Sequence, residues 1–315
     1  MAAEPSALEG AGVLPILVVL NRNAGSADEG AVDAALDVLR AGADVAVAVT
    51  GDAAELDEAV AAHRERRLVA LGGDGSVHAA VGALDRAGLL HPDRPVGIVP
   101  RGTGNDLARA LGLPLDPVES AAVVLAGAPR ALDLIRDDAG GVVVNAVHVG
   151  VGAVASAQAV RFKGSLGTAA FPLGAAIAGV TSTGTELRVE VDGRVLAHEE
   201  QGWAADGRTG VLMLGVCNAP TIAGGTPLAP AAVPDDGLAD VVLSIATGPV
   251  ARAAFAAALL AGSHGDRPDV CIVRARQVSF SGPSVEAVAD GELQPAVGER
   301  TWRVEHRAWS VIAPP

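Results

Sequence analysis

Residues 68–77, LVALGGDGSV, join a short apolar run to a glycine-rich loop and then to a helical pattern. The run at 68–71 has the length and composition of a buried strand. Adjacent glycines let backbone N–H groups approach an anion closely, and the start of the following helix adds a favourable dipole. The stretch therefore predicts a strand, a phosphate-binding loop and a helix in succession. A Gly-Asp-Gly turn that only reverses the chain is the alternative.

The same alternation surrounds this stretch. Strand-like runs occur at 16–20, 44–49 and 96–99, and helical spacing occurs at 28–40 and 53–64. Strands that alternate with helices predict a parallel sheet with crossover helices. Ligands in that architecture collect at the carboxyl ends of the strands. The first part of the chain therefore predicts an α/β domain with its ligand-binding loops along one sheet edge.

The pattern changes after about residue 134. An alternating run at 185–191 ends in Asp192-Gly193, a dipeptide typical of hairpin turns, and an alanine-rich helical segment covers 250–261. Further strand-like runs follow the same style, at 142–149, 211–216, 238–245, 270–273 and 302–312. The sequence predicts an α/β domain over 1–134, a mostly antiparallel β-rich domain over 135–300, and a C-terminal strand over 301–315 that returns to the first domain.

The charge balance excludes some classes of partner. The chain has 23 Lys and Arg against 37 Asp and Glu, a formal net charge of −14, without a basic cluster. Nucleic-acid binding needs such clusters, so no nucleic-acid partner is expected. The acidic balance also argues against general adhesion to anionic membranes.

Other segments indicate a cytoplasmic protein. Cys217 and Cys271 lie far apart in apolar runs without metal-ligand spacing, which is consistent with core residues in a reducing compartment. Residues 1–12 contain acidic side chains and no basic region, unlike a signal peptide. The apolar segment 166–180 is short for a membrane span and contains Pro172, so a buried helix or pocket wall is the expectation.

Two more loops with polar residues follow predicted strands. Residues 100–109 read PRGTGNDLAR, and residues 21–26 read NRNAGS. Thr103 can donate to a phosphate, and Asn105 and Asp106 stand where a helix N-cap is expected. Asp74 would repel a phosphate, so it is better suited to hold a magnesium ion or its waters.

Together these loops resemble the diacylglycerol kinase catalytic domain, which bacterial lipid kinases share with sphingosine and ceramide kinases. That family combines an Asn-Pro-x-Ser/Ala-Gly loop, a Gly-Gly-Asp-Gly-Thr loop and a Gly-Thr-x-Asn-Asp loop in this order. The chain departs from it at Arg22 in place of Pro, at Ser76 in place of Thr, and at His78 where Asn is common. We interpret His78 as a polar lining residue.

The resemblance implies ATP and Mg²⁺ as ligands and an NAD kinase/phosphofructokinase-like first domain. It implies that the metal and its waters are organised by Asp74, Asp106 and Asp133, the last within Ala131-Leu132-Asp133-Leu134. Thr50 matches a further nucleotide-contacting residue, with a helix N-cap as its alternative role. The implied ATP-binding residues are Asn21, Asn23, Gly25, Thr50, Gly72, Gly73, Asp74, Gly75, Ser76, Thr103 and Asn105.

The resemblance continues through the second domain. The run at 228–238 is similar to a loop that holds a structural magnesium in bacterial members, with Asp236 as the carboxylate and the carbonyls of Val233 and Leu238 as further ligands. Oxygen-only ligation suits a hard cation. A tight Asp-Gly turn without an ion is the alternative.

Asp290-Gly291-Glu292 completes the resemblance. The family places its acids opposite the phosphate loops, with one of them as the general base for the acceptor hydroxyl. The sequence leaves open whether Asp290 or Glu292 takes that role, and a plain hairpin turn is the alternative.

The predicted function is transfer of the ATP γ-phosphoryl group to a lipid alcohol, most simply diacylglycerol, by a cytoplasmic protein in transient contact with the membrane surface. Residues 162–180 are expected to wall the acceptor pocket. A soluble-substrate kinase of the NAD kinase type, and a nucleotide- or lipid-binding protein without turnover, are the alternatives. Oligomeric state stays open, with a homodimer as one expectation.

Overall fold

A computed structural model of the chain describes residues 14–22, 29–150, 184–196 and 207–315. In the first part, strands and helices alternate as predicted. They are β1 (Leu14–Asn21), α1 (Glu29–Gly42), β2 (Ala43–Thr50), α2 (Ala53–Ala62), β3 (Arg67–Gly72), α3 (Asp74–Arg86), β4 (Gly97–Pro100), α4 (Asp106–Ala110) and α5 (Pro117–Ala126).

The first sheet has the strand order β2-β1-β3-β4, and every pairing in it is parallel. One of its faces packs on α1 and α5 through residues such as Leu39 and Val124. Its other face packs on α2, α3 and α4 through Leu56, Leu84 and Leu107. Burial on both faces explains why its strands are continuous apolar runs. The predicted α/β domain with a parallel sheet is confirmed.

The second part is mostly strand. Its elements are β5 (Ala128–Asp137), β6 (Val142–Val143), β7 (Ala146–Gly150), β8 (Thr185–Val191), β9 (Arg194–Val195), β10 (Thr209–Val211), β11 (Met213–Cys217), β12 (Ala239–Ser244), α6 (Pro249–Ala261), β13 (Val270–Ala275), β14 (Gln277–Ala289) and β15 (Glu292–Ala313). The order β13-β12-β11-β7-β14-β15-β5-β6 runs through one large antiparallel sheet, with β8, β9 and β10 attached beside it. The predicted antiparallel domain is confirmed.

Turn chemistry accounts for two hairpins of this sheet. Asp192 and Gly193 have φ of 47° and 77°, and Asp290 and Gly291 have φ of 48° and 88°. These angles match the turn type that favours Asp-Gly. The predicted strand over 142–149 is interrupted, because β6 ends at Val143 and β7 begins at Ala146.

The two sheets share a core. The end of β15 carries Trp309 and Val311, which are fully buried in one apolar cluster with Leu84 and Leu107 of the first domain. Val96 of the first domain accepts from Ile312 N at 3.0 Å and donates to Ser310 O at 2.9 Å. The last strand therefore joins the β-rich sheet to the α/β domain.

Cys217 is buried and Cys271 half-buried, and both are free thiols. The apolar segment 166–180 and the N-terminal residues 1–12 lie outside the described residues. Within the described ranges, none of the helices has the length and apolar character needed to span a bilayer.

Candidate active site

The two predicted phosphate-type loops of the first domain contact each other through glycines. An added Cβ at Gly73 would lie 2.9 Å from Gly102 Cα, and one at Gly102 would lie 2.5 Å from Gly73 Cα. The backbone N–H of Arg101 donates to Gly72 O at 2.9 Å. Both loops follow adjacent parallel strands, β3 and β4. Close backbone approach is therefore one reason for glycine at 73 and 102.

Asn105 stabilises the second of these loops. Its Oδ1 accepts from Gly102 N at 2.9 Å and its Nδ2 donates to Gly102 O at 2.8 Å. It occupies the N-cap position of α4 with a φ of 53°, a left-handed conformation that Asn tolerates better than most residues. The side chain makes no capping bond, so Asn105 shapes the loop and does not cap the helix.

The predicted loop over residues 21–26 begins beside the end of β2. Asn21 is paired with Thr50 in the parallel register of β1 and β2, and Arg22 N donates to Thr50 O at 2.8 Å. The alternative N-cap role of Thr50 is wrong, because Asp52 caps α2 by accepting from Glu55 N at 2.9 Å. Asn23 and Gly25 lie outside the described residues.

Asp74 and Asp106 lie close together at the start of α3 and α4. An added Cβ at Gly104 would be 2.9 Å from Asp74 Oδ2 and 3.3 Å from Asp106 Oδ2. Burial is the main cause that raises the pKa of Asp74, and the charges of Asp106 and Asp290 raise it further, although backbone amides of Asp106 and Leu107 lower it. The pair is thus an electronegative point beside the glycine loops.

The second domain holds Asp106 in place. Its Oδ1 accepts from Thr221 Oγ1 at 2.7 Å and from Gly225 N at 2.8 Å, and its Oδ2 accepts from Gly224 N at 2.8 Å. No local pattern in the sequence links the Gly224-Gly225 loop to Asp106.

These residues suit a metal that arrives with a nucleotide. Mg²⁺ is commonly bound through one or two carboxylates plus phosphate oxygens and water. Asp74 and Asp106 provide such oxygens, and a cation would offset the burial and the like charges that raise the pKa of Asp74. Over the described ranges, no three His, Cys, Asp or Glu side chains are grouped so that they could hold a metal ion by themselves.

Asp133 has a different set of partners. Its buried carboxylate accepts from Gly237 N at 2.5 Å, His306 Nδ1 at 2.8 Å and Arg307 N at 2.8 Å. None of these partners belongs to the glycine loops. The structure therefore brings together Asp74 and Asp106 of the predicted metal network, and ties Asp133 to β15 and the 233–238 loop.

The loop predicted to hold a structural magnesium contains an ion pair. Asp236 Oδ2 is paired with Arg274, and its Oδ1 accepts from Leu238 N at 3.0 Å. The neighbouring Asp235 is paired with Arg130 at 3.0 Å. A cation at Asp236 would have to compete with the Arg274 guanidinium, so the site stays a prediction.

Asp290 is a buried acceptor at the tip of the β14–β15 hairpin. Its Oδ1 accepts from Asn145 N at 2.8 Å and from Ala146 N at 3.0 Å, and its Oδ2 accepts from Val144 N at 2.8 Å. These three amides belong to the residues at the break between β6 and β7, where the predicted strand over 142–149 is interrupted. The Asp-Gly pair therefore forms the turn and also supplies the acceptor for these amides.

A contact across the domains involves the same carboxylate. His78 Nδ1, on α3, lies 2.7 Å from Asp290 Oδ2. The two residues are 212 positions apart in sequence. His78 differs from the residue common at this position in the family, and no local pattern in the sequence indicates its partner.

A cavity of about 520 Å³ lies where the two domains meet. Its polar lining includes Asn21, Thr50, Ser76, His78 and Glu292, and its apolar lining includes Val147, Ala287, Val297 and Trp302. The cavity therefore gathers predicted nucleotide residues of the first domain and the predicted acid of the second. Thr103 and Asn105 lie outside its lining as far as the structure describes it.

Known proteins share this fold and these motifs. Residues 15–136 match the model of the diacylglycerol kinase catalytic domain, and residues 145–313 match that of the YegS C-terminal NAD kinase beta sandwich-like domain. A crystal structure titled as that of a diacylglycerol kinase from Bacillus anthracis str. Sterne superposes with a TM-score of 0.74 at 19% identity, covering 97% of this chain and 99% of that one. The first part of the chain thus matches a diacylglycerol kinase catalytic domain, and the second part matches the domain that follows it in YegS-type proteins.

Relatives identify the branch. A Pseudomonas aeruginosa protein named "Probable lipid kinase YegS-like" is 35% identical over 83% of this chain and 80% of its own length. A Stenotrophomonas maltophilia protein of the same name is 32% identical over 56% of this chain and 55% of its own length. The chain belongs to the family of YegS-like lipid kinases.

Proposed function

We propose that the protein transfers the γ-phosphoryl group of ATP to the hydroxyl of diacylglycerol and so forms phosphatidic acid. The observation that carries this proposal is the shared cavity, which is lined by Asn21 and Thr50 at strand ends, by Ser76 in the first turn of α3, and by Glu292 after the β14–β15 turn. A phosphoryl donor and an alcohol acceptor need such an arrangement, because the reaction depends on positioning and on stabilising charge.

The residues divide the task between the domains. Gly72 and Gly73 lead into α3, which begins at Asp74 and whose N-terminus favours anions, so the segment 72–76 binds the phosphates. Asp74 and Asp106 would hold a magnesium ion that accompanies ATP, and such an ion would supply charge neutralisation at the phosphates. The hairpin at 290–292 supports the acceptor hydroxyl.

The two predicted base residues are not equivalent. Both oxygens of Asp290 already accept hydrogen bonds, and its side chain has no exposed surface. A carboxylate with its lone pairs engaged is a poor proton acceptor. Of the two acids, Glu292 is exposed and lines the cavity, so it is the carboxylate that can reach an acceptor.

Diacylglycerol suits this site for two reasons. The apolar lining by Val147, Val297 and Trp302 can contact a lipid body near its hydroxyl. In addition, the Bacillus anthracis structure, which has a similar fold over nearly its full length, is titled as that of a diacylglycerol kinase. The reaction would take place during transient contact with the cytoplasmic face of a membrane. A homodimer stays a prediction.

The test is incubation with γ-labelled ATP and Mg²⁺ and with each of several acceptors presented in detergent micelles. The lipid acceptors are diacylglycerol, a sphingoid base, a ceramide and a polyprenol, and NAD is offered in solution without detergent. Label in phosphatidic acid is expected. Label in NADP instead would show a soluble-substrate kinase. ATP binding without label in any product would show a binding protein without turnover.

A further inference from the structure

A series of hydrogen bonds in the second domain links the hairpin at 290–292 to Asp106. Asn145 is the first link, because its backbone N–H donates to Asp290 Oδ1 at 2.8 Å and its Nδ2 donates to Thr221 O at 2.9 Å. Thr221 is the second link, because its Oγ1 donates to Asp106 Oδ1 at 2.7 Å. Asn145 and both aspartates are buried. Hydrogen bonds are stronger away from water, so these bonds fix the position of one acid relative to the other.

Three donors hold the Asp106 carboxylate, and the Thr221 hydroxyl is the side-chain donor among them. The other two are the backbone amides of Gly224 and Gly225. A carboxylate has about four acceptor positions, so the three bonds leave one of them. Asp106 Oδ2 and Asp74 Oδ2 lie on the same side, because an added Cβ at Gly104 would be 3.3 Å from the first and 2.9 Å from the second. The second domain therefore holds Asp106 with one oxygen beside Asp74.

This placement has a cost that the donors offset. Burial is the main cause that raises the pKa of Asp74, and the charge of Asp106 raises it further. Two acids stay adjacent when charge-assisted hydrogen bonds stabilise one of them in its ionised form. Groups that orient a metal ligand in this way are a regular part of metal sites. The bonds to Asp106 thus keep a pair of carboxylates ready for a cation.

We propose that Thr221 is a positioning residue for the transfer reaction: its hydroxyl orients Asp106 towards the magnesium ion that accompanies ATP, and Asn145 ties Thr221 to the acid hairpin. The proposal rests on the function proposed above. Thr221 keeps its proton throughout, and Glu292 remains the acid that faces the acceptor. Because Asp106 belongs to the first domain and its donors to the second, the pair of acids is complete only with the 221–225 loop in place.

The effect of Mg²⁺ on ATP binding tests this role without a lipid substrate. Calorimetry gives the dissociation constant for ATP with Mg²⁺ and with chelator, and the ratio of the two measures how much the metal tightens binding. Thr221→Val keeps the shape of the side chain and removes its donor. The ratio is expected to fall about 10–100-fold in this variant, the usual cost of losing a group that orients a metal ligand. The dissociation constant in chelator should stay within about twofold of the native value, because the glycine loops are unchanged.

Two further variants serve as controls. Thr221→Ser retains a hydroxyl donor, so a native ratio is expected. Thr226→Val makes the same replacement at the end of the same loop. The backbone N–H of Thr226 donates to Ile222 O at 2.8 Å, and its hydroxyl makes no hydrogen bond within the described ranges. A native ratio is expected for Thr226→Val as well.

The transfer rate adds a second readout. With γ-labelled ATP and diacylglycerol micelles, Thr221→Val should be slower than the native protein at a Mg²⁺ concentration that just saturates the native protein. Raising the Mg²⁺ concentration should recover most of this loss, because the variant binds the metal more weakly. The KM for diacylglycerol should not change. A loss of rate that Mg²⁺ does not recover would contradict a role through the metal.

Asn145→Ala tests the first link. This variant removes the donor to Thr221 O, so the ratio of ATP dissociation constants should fall in the same direction. If Asn145 acts through Thr221, the double variant should lose little more than Thr221→Val alone. Additive losses would overturn the link between Asn145 and Thr221.

The remaining outcomes are distinguishable. Equal weakening of ATP binding with Mg²⁺ and with chelator in Thr221→Val would show that Thr221 shapes the loop and does not serve the metal. A native ratio in that variant, or a native protein whose ATP affinity does not respond to Mg²⁺, would also overturn the proposal. If the native protein responds to Mg²⁺ but labels none of the acceptors, the proposed function fails, and the binding ratios still decide the role of Thr221.

Discussion

Three aspartates of the site differ in role because their partners differ. Asp106 accepts from three donors of the second domain, and Asp290 accepts from three amides and from His78. Asp74 accepts from Leu107 N at 3.1 Å and lies near two like charges. The first two therefore stabilise the fold, whereas Asp74 is held at a cost in stability that a bound cation can offset.

Asp74→Asn is expected to raise the free energy of unfolding at pH 7 without metal. Burial above all, with the charges of Asp106 and Asp290, raises the pKa of Asp74 in the folded protein. Because the pKa of Asp74 is higher in the folded than in the unfolded protein, its protonated form favours folding, and this stabilisation is complete below the unfolded pKa. The stabilisation is lost as the pH rises through the folded pKa, so at pH 7 the ionised carboxylate destabilises the fold. The higher free energy of unfolding of Asp74→Asn should therefore be present at pH 7 and vanish towards pH 4. Urea unfolding at the two pH values, with chelator present, measures it.

Asp106→Asn provides the contrasting control. Its amide cannot accept from all three donors, so the free energy of unfolding should fall by about 1–3 kcal/mol, the usual cost of unsatisfied buried groups. If Asp74→Asn destabilised the metal-free protein as much as Asp106→Asn does, the Asp74 carboxylate would stabilise the fold and would not be held at a cost in stability.

The two glycine loops act as one unit at the scale of elements. Because Gly73 and Gly102 lie backbone to backbone, a side chain at either position separates the ends of β3 and β4. The amides proposed to bind phosphate depend on that contact for their position.

Gly73→Val should abolish the thermal protection that ATP and Mg²⁺ give the native protein. A ligand that binds only the folded state raises the melting temperature, and at 100 times its dissociation constant it contributes about 2.7 kcal/mol. The valine side chain would meet Gly102 Cα, so the loops move apart and the ATP-dependent shift is lost. Thermal unfolding with and without ATP measures it.

Gly248→Ala is the matched control for this variant. An added Cβ there meets no atom within 4 Å, and the φ of Gly248 is −72°, which alanine adopts freely. Native protection is expected in the control. An unchanged ATP-dependent shift in Gly73→Val would contradict the assignment of this loop to the phosphates.

The 233–238 loop can be tested by its response to metal. If Asp236 binds a structural Mg²⁺, Asp236→Ala should lose the part of the stability that Mg²⁺ adds and change little in chelator, because a metal that binds the folded state contributes its binding free energy to folding. Thermal unfolding of both proteins with Mg²⁺ or with chelator measures this. Equal destabilisation under both conditions would assign Asp236 to its pair with Arg274.

Local patterns in the sequence predicted strands and turns, but contacts between residues far apart in sequence leave no such pattern. The apolar run before Gly72 and the Asp192-Gly193 turn predicted β3 and the β8–β9 hairpin, because strands and turns depend on neighbouring residues. The contact of His78 with Asp290 joins residues 212 positions apart. The partners of Asp133 likewise lie on a distant loop and strand. Only the assembled domains bring such pairs together.

At the scale of the molecule, the last strand makes the two domains interdependent. β15 begins at the site with Glu292 and ends in the core of the first domain with Trp309 and Ala313. Trp309 Nε1 also donates to Asp133 O at 3.0 Å. A side chain of the second sheet thus fills the core of the domain that carries the predicted nucleotide loops.

This connection predicts cooperative unfolding of the two domains. Trp309→Ala removes a fully buried indole, and such truncations cost about 3–5 kcal/mol. Because the lost volume lies in the shared core, the parallel and antiparallel sheets should both unfold at a lower temperature and in a single transition. Calorimetry together with far-UV circular dichroism measures this, and the ratio of calorimetric to van't Hoff enthalpy tests for one transition.

Leu293→Ala on the same strand, with 51% of the residue exposed, should change the free energy of unfolding by less than about 0.5 kcal/mol. Two separate transitions in the native protein, with only one of them shifted by Trp309→Ala, would show that β15 stabilises a single domain and that the cavity walls can separate without unfolding.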